Sequence, residues 1–248
     1  LNNAIGRFYN AMGVELRQGY GLTETSPVIS VNRENCNNPV TVGQPIPGLQ
    51  IRLGDIEELQ VKGPTVMKGY WKRPDATAEV FTEDGWFRTG DQADLSDAGR
   101  IRIKGRIKEI IVTSTGEKIP PTDMELAIQT DPLFEQVMVV GEARPFITAL
   151  AVVNEAEWEK FAKEFNVDPS DDRMLMRRDI RMAALKRLKK AASRFPQYGI
   201  PRNIRLLKEH WTVDNGCLTV TMKLRRPIIR EKLRAEIDEL YTVPQNNV

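Results

Sequence analysis

GRIKEIIVTSTGEKIPP, residues 105–121, is where the texture of the chain changes. Upstream, from about residue 40, short alternating runs are separated by Gly, Pro and Asp clusters. VGQPIPGLQIRL and EELQVKG read as strands, and DLSDAGRIRIKGR reads as a hairpin, two β-type runs joined by Ser-Asp-Ala-Gly. Downstream, strands and helices alternate. IKEIIVTS is a strand candidate, the loop STGEKIPP follows, and Pro121 suits the first turn of a helix. EQVMVVGE and FITALAVV read as buried strands, Ala156–Phe165 and Asp172–Arg194 as helices, and IRLLKE as a strand. PIIREKLRAEIDELY reads as one helix with Ile229, Leu233, Ile237 and Leu240 on one face. No repeat is visible. The expected fold class is α+β: a β-rich segment over 1–106, then a compact unit over 107–248 whose central sheet is flanked by helices.

Composition narrows the function. The 248 residues are 41% hydrophobic and 28% charged, ordinary for a soluble globular protein. The net charge of +2 hides a dense basic stretch from Arg173 to Lys208 in which Asp179 is the only acid. Cys36 and Cys217 lie far apart without metal-ligand spacing, which points to free thiols in a reducing compartment. The longest apolar run, FITALAVV, is too short to span a bilayer, and the expected location is cytoplasmic. The sequence has a single histidine, His210, and no recognisable nucleophile–base pair.

Three more stretches carry chemistry-bearing side chains: GYGLTETSP (Gly19–Pro27), GWFRTGD (Gly85–Asp91) and NGCLTVTMKLRR (Asn215–Arg226). Each has a purely structural reading. The nonapeptide makes a strand-ending turn, Asp91 a turn residue, Arg106 a surface cation, Gly116 a bend, and Lys223 a solvated lysine. Taken together and in this order, YGLTET, TGD, GRIKE with its glycine loop, and the late lysine resemble the acyl-adenylate-forming superfamily. Within it, Trp158–Pro201 and LTVTMKLRRPIIREKL look most like long-chain fatty acid–CoA ligases.

That resemblance implies the C-terminal part of a longer ligase. Residues 1–106 would be the end of its large domain, with a β-barrel-like portion, and 107–248 its small mobile domain. The implied reaction joins a fatty acid to ATP as acyl-AMP, with pyrophosphate released, and then to coenzyme A. The attacking carboxylate is already ionised, so the site must supply charge stabilisation rather than a base. Tyr20 would present its ring to adenine, with Gly19 and Gly21 allowing close backbone approach. Thr23 would donate towards the α-phosphate, and Glu24 would hold Mg²⁺. Asp91 would accept from the ribose hydroxyls, with Arg106 adding a second ribose contact. Lys223 would meet the α-phosphate, Lys108 would be the hinge, and Gly116 would line the pantetheine path.

The departures are equally definite. A phosphate loop of the TSGTTGxPKG type, normally upstream of YGLTE, is not in this sequence, so the fragment alone is expected to be inactive. Met222 stands where many members have glycine, and Lys118 where asparagine is common. Arg225 and Arg226 crowd Lys223, so its selection rests on the family pattern. An aryl- or amino-acid substrate, or a carrier protein as acceptor, stays open. The basic stretch 172–194 reads as an amphipathic surface helix, with contact to anionic membrane or to the CoA phosphates as further readings. Little aromatic interleaving accompanies its cations, and no nucleic acid is expected as a partner.

Overall fold

The computed structural model describes residues 3–242. The chain divides into two compact units, Leu1–Glu109 and Ile110–Val248. Lys108 is exposed in the single 3-10 turn Ile107–Glu109, directly before that division.

The first unit opens with helix α1 (Asn3–Ala11). The short strands β1 (Gly19–Tyr20), β2 (Ser30–Val31) and β3 (Gln44–Pro45) then form an antiparallel sheet. A second antiparallel sheet has the order β4 (Gln50–Leu53), β5 (Glu58–Lys62), β6 (Phe87–Asp97), β7 (Arg100–Arg106), with α2 (Pro74–Glu79) inserted before β6. Two backbone bonds join the sheets: Val42 N–H to Ile101 C=O (2.8 Å) and Ile101 N–H to Gly43 C=O (2.9 Å). Together they wrap one core of Ile29, Leu59, Val61, Phe87, Ala93 and Ile101.

The expected hairpin is β6–β7, and its register ends with Asp97 opposite Arg100, which leaves a two-residue turn of Ala98 and Gly99. Ala98 has φ +46°, a left-handed conformation that costs an ordinary residue about 1–2 kcal/mol and that asparagine tolerates better. Ala98→Asn is therefore expected to stabilise the protein by about 1 kcal/mol, read as a higher thermal midpoint. An unchanged or lower midpoint would contradict this account of the turn.

The second unit starts with a two-stranded ribbon, β8 (Ile111–Val112) and β9 (Lys118–Ile119), followed by α3 (Pro121–Ile128). Its central sheet has the order β10 (Phe134–Val140), β11 (Thr148–Val153), β12 (Asn203–Leu207). β11 runs antiparallel to β10 and parallel to β12. Every residue of β11 is buried, which explains why FITALAVV is a continuous apolar run rather than an alternating one. One face is covered by α3, α4 (Glu155–Glu164) and α5 (Arg178–Ala191), with Trp158, Phe161, Ile180, Leu185 and Leu188 in the core. The other face is covered by α6 (Arg226–Lys232) and α7 (Arg234–Thr242), with Trp211, Ile229, Ile237 and Leu240. The fold class is α+β.

Three expectations need correction. Of IKEIIVTS, only Ile111–Val112 is strand, because residues 107–109 turn as a 3-10 helix at the edge of the first unit. The helix expected over Asp172–Arg194 is broken. Asp171 accepts the Arg173 N–H, a 3-10 turn over Asp172–Met176 buries Leu175, and Arg177 is extended before α5 begins. That break lets Ile180, Ala184 and Leu188 face the core as the periodicity requires. The last helix is interrupted at Leu233, although Ile229, Ile237 and Leu240 all reach the core. Among the described residues, no helix is long and apolar enough to cross a membrane.

Candidate active site

Three expected residues meet in the first unit. The β6–β7 register places Asp91 opposite Arg106. The Asp91 carboxylate belongs to a residue only 4% exposed, and its Oδ1 lies 3.5 Å from Arg106 Nε. Its Oδ2 accepts a 2.5 Å hydrogen bond from the Tyr20 hydroxyl at the end of β1. Burial, and then the Asp91 charge beside it, hold the Tyr20 phenol well above the usual tyrosine range, so it remains a donor. The turn before Asp91 is fixed by its neighbours. Thr89 Oγ1 donates to Leu59 C=O (2.7 Å) and accepts the Asp91 N–H (3.2 Å), while Gly90 N–H donates to the Glu58 carboxylate (3.3 Å).

GYGLTETSP leaves β1, makes one 3-10 turn over Thr23–Thr25 and returns towards β2. Its two threonines differ. Thr25 is buried and closes the turn, donating to Leu22 C=O (2.9 Å) and accepting the Leu22 N–H (3.0 Å). Thr23 is exposed, and among the described residues its hydroxyl has no partner. Gly21 was expected to admit a nucleotide; the structure gives a nearer reason for glycine. A Cβ there would stand 1.8 Å from the Pro27 carbonyl oxygen of the same turn.

Glu24 is half-exposed, and its Oε1 accepts a 2.8 Å bond from the Tyr70 hydroxyl. Its carbonyl accepts the Met67 N–H at 2.8 Å. The bond to Glu24 raises the Tyr70 phenol above its ordinary value. Tyr70 escaped the sequence reading, because nothing in MKGYW signals a partner 46 positions earlier. Four residues of chain hold the Glu24 Cα within about 14 Å of the Tyr20 Cα, so the carboxylates of Glu24 and Asp91 are anchored through one short segment. No group of three or more His, Cys, Asp or Glu able to hold a metal exists among the described residues. One carboxylate with an uncommitted oxygen is nevertheless what Mg²⁺ takes when substrate phosphates supply its other ligands, so the residues fit that ion.

In the second unit, Lys223 is exposed, and among the described residues its ammonium has no partner. Its two arginine neighbours differ. Arg226 forms a bidentate pair with Glu125, both bonds 2.6 Å, and Arg225 Nη1 lies 3.4 Å from Gly216 C=O. Gly116 sits at the tip of the β8–β9 ribbon with φ +84°, and a Cβ there would meet nothing within 4 Å. Backbone conformation, not crowding by its own unit, selects glycine at this point.

The chain is similar to known proteins over nearly all its length. It is 36% identical to long-chain-fatty-acid–CoA ligase FadD15 of Mycobacterium bovis, covering 97% of this chain but 40% of that protein. It is 33% identical to the chloroplastic long-chain-fatty-acid–[acyl-carrier-protein] ligase AEE15 of Arabidopsis thaliana, covering 96% of this chain and 34% of that protein. The chain thus spans about two fifths, or less, of these relatives. Among solved structures, the A domain of carboxylic acid reductase from Segniliparus rugosus, in complex with AMP and a co-purified carboxylic acid, superposes with a TM-score of 0.75. It is 26% identical, covering 95% of this chain and 37% of that one. Residues 1–71 match the AMP-binding enzyme family. Residues 108–244, more than half of the chain, match the AMP-binding enzyme C-terminal domain, and the chain belongs to that family of AMP-binding enzymes.

Proposed function

We propose that the protein to which this chain belongs joins a long-chain fatty acid to coenzyme A at the expense of ATP. Residues 1–106 form the end of its large domain, residues 107–248 its small mobile domain, and Lys108 the hinge. The observation that carries the reading is the buried Asp91 carboxylate, flanked by the Tyr20 hydroxyl and Arg106 and tied through one short turn to Glu24.

The fatty-acid carboxylate attacks the α-phosphorus of ATP, the bond to pyrophosphate breaks, and acyl-AMP forms. The coenzyme A thiol then attacks the acyl carbon, and AMP leaves. Asp91 accepts from the two ribose hydroxyls, and Arg106 steadies both that carboxylate and the ribose. Tyr20 presents its ring to adenine while its hydroxyl holds Asp91. Thr23, uncommitted and exposed, donates to the α-phosphate. The Glu24 oxygen not used by Tyr70 would hold Mg²⁺, and the ion would supply positive charge against the phosphates. Lys223 meets the negative charge that builds on the α-phosphate. The loop at Gly116 lines the pantetheine path during the second step.

The test is pyrophosphate release by the intact protein across a panel of carboxylic acids. Long-chain fatty acids should support the fastest release, with coenzyme A as acceptor. Preference for aryl or amino acids, or for a carrier protein over coenzyme A, would overturn the substrate assignment. The fragment 1–248 alone should show no ATP–pyrophosphate exchange, and measurable exchange would contradict the division of labour between it and the rest of the ligase.

We also propose that the outer face of α5 meets anionic lipid. Arg178, Lys186 and Lys189 line that face around the exposed Met182, and none of them forms an ion pair among the described residues. Each such cation near an anionic surface contributes about 1 kcal/mol. The intact protein should sediment with phosphatidylserine vesicles but not with phosphatidylcholine vesicles, and K186E/K189E should weaken this at least about tenfold. Equal binding to both vesicle types, or tight sequence-selective binding to duplex DNA, would refute it.

A further inference from the structure

The loops that carry Gly116 and Lys223 are two copies of one design, 106 positions apart, which corrects the expectation of no repeat. In the first, Thr113 N–H donates to Glu117 C=O (3.0 Å), Gly116 N–H to Thr113 C=O (3.0 Å), and Glu117 N–H to Thr113 Oγ1 (3.1 Å). In the second, Thr219 N–H donates to Lys223 C=O (2.9 Å), Met222 N–H to Thr219 C=O (2.8 Å), and Lys223 N–H to Thr219 Oγ1 (3.1 Å). Each loop pairs its two threonine hydroxyls, Thr113 with Thr115 at 2.8 Å and Thr219 with Thr221 at 3.0 Å. The fourth residue is left-handed in both, Gly116 at φ +84° and Met222 at φ +60°. Antiparallel bridges close both stems, Val112 with Lys118 and Leu218 with Leu224. A helix with proline in its first turn follows each, α3 at Pro121 and α6 at Pro227.

One buried ion pair ties the two copies together. Glu125 of α3 and Arg226, the first residue of α6, have side chains 7% and 15% exposed. Both carboxylate oxygens receive the guanidinium, and Oε1 also accepts the Val139 N–H of β10 at 2.8 Å. Glu125 is thus fixed to the central sheet as well as to Arg226. On the other side, Arg226 lies three residues after Lys223, whose loop exposes Val220 and Met222 to solvent. The direction of that loop is therefore set by its stem and by this fork. A bidentate arginine fixes direction as well as distance, which a lysine ammonium does not.

We propose that Glu125 and Arg226 are positioning residues that aim the Lys223 loop, holding it in fixed relation to the Gly116 loop. The inference rests on the ligase reading of Lys223 given above. The test uses the intact protein and measures the two half-reactions separately. Arg226→Lys keeps the charge and loses the fork. It should stay folded, with adenylation kcat lowered about tenfold or more, KM for ATP within about twofold, and thioester formation from supplied acyl-AMP within about twofold. Glu125→Gln should lower adenylation similarly, and the double variant should lose no more than the worse single one, as members of one unit do. Should Arg226→Lys fail to fold, the same criteria apply to Glu125→Gln. Adenylation within about twofold of the parent protein, equal loss of both half-reactions, or fully additive losses would overturn the proposal. Lys223→Ala separates the two levels. If that change spares adenylation, the role given to Lys223 fails; if it slows adenylation strongly while the pair variants stay within about twofold of the parent protein, only the positioning role fails.

Discussion

Lys223→Ala in the intact protein is expected to slow acyl-adenylate formation about 10²–10³-fold, the usual cost of removing one group aimed at developing charge. Thioester formation from supplied acyl-AMP should change little, because the phosphate bond is already broken when that step begins. The structure sharpens the choice of this lysine over its neighbours. Arg226 is committed to Glu125, and the Arg225 guanidinium lies against the Gly216 carbonyl, whereas Lys223 stands exposed at the end of a closed loop. Single-turnover measurements of the two half-reactions decide it. Equal loss in both would make Lys223 a structural residue or a binder of something common to both steps.

Asp91→Ala is expected to raise KM for ATP about 10–100-fold, since a hydrogen bond to a charged acceptor contributes about 1.5–3 kcal/mol. The same substitution removes the acceptor of the Tyr20 hydroxyl, a half-buried donor, and should lower stability by about 1–3 kcal/mol. Asp91→Asn keeps the shape and one acceptor oxygen and should fall between the two. Initial-rate kinetics at varied ATP, set beside thermal unfolding of the same variants, separate the effects. A stability loss with KM unchanged would mean that Asp91 only braces Tyr20 and Arg106.

Much of the architecture was legible because local chemistry and burial agree. FITALAVV is apolar at every position but Thr148 because β11 is covered on both faces, and DLSDAGRIRIKGR carries its turn residues where β6 gives way to β7. The helix breaks at Arg177 and Leu233 were not legible, since the apolar spacing on either side stays compatible with a continuous helix. At the candidate site, the residue types in YGLTET, TGD and GRIKE announced carboxylates, hydroxyls and a cation. Their meeting depends on the β6–β7 register and on β1, which sequence spacing does not encode. Tyr70 was missed for the same reason, since its link to Glu24 joins segments 46 residues apart. Gly21 is legible as a point of close backbone approach, and the folded turn adds a neighbour that the letters do not show, the Pro27 carbonyl. The paired loops went unseen since their shared features are threonines and a backbone angle, while Gly116 and Met222 look unrelated as letters.

The most direct measurement is a crystal structure of the intact protein with AMP and Mg²⁺. Both ribose hydroxyls should lie within hydrogen-bond distance of the Asp91 carboxylate, the adenine against the Tyr20 ring, and a Glu24 oxygen on the metal. AMP bound elsewhere, with Asp91 contacting only Tyr20 and Arg106, would contradict the assignment of this turn and hairpin to the nucleotide.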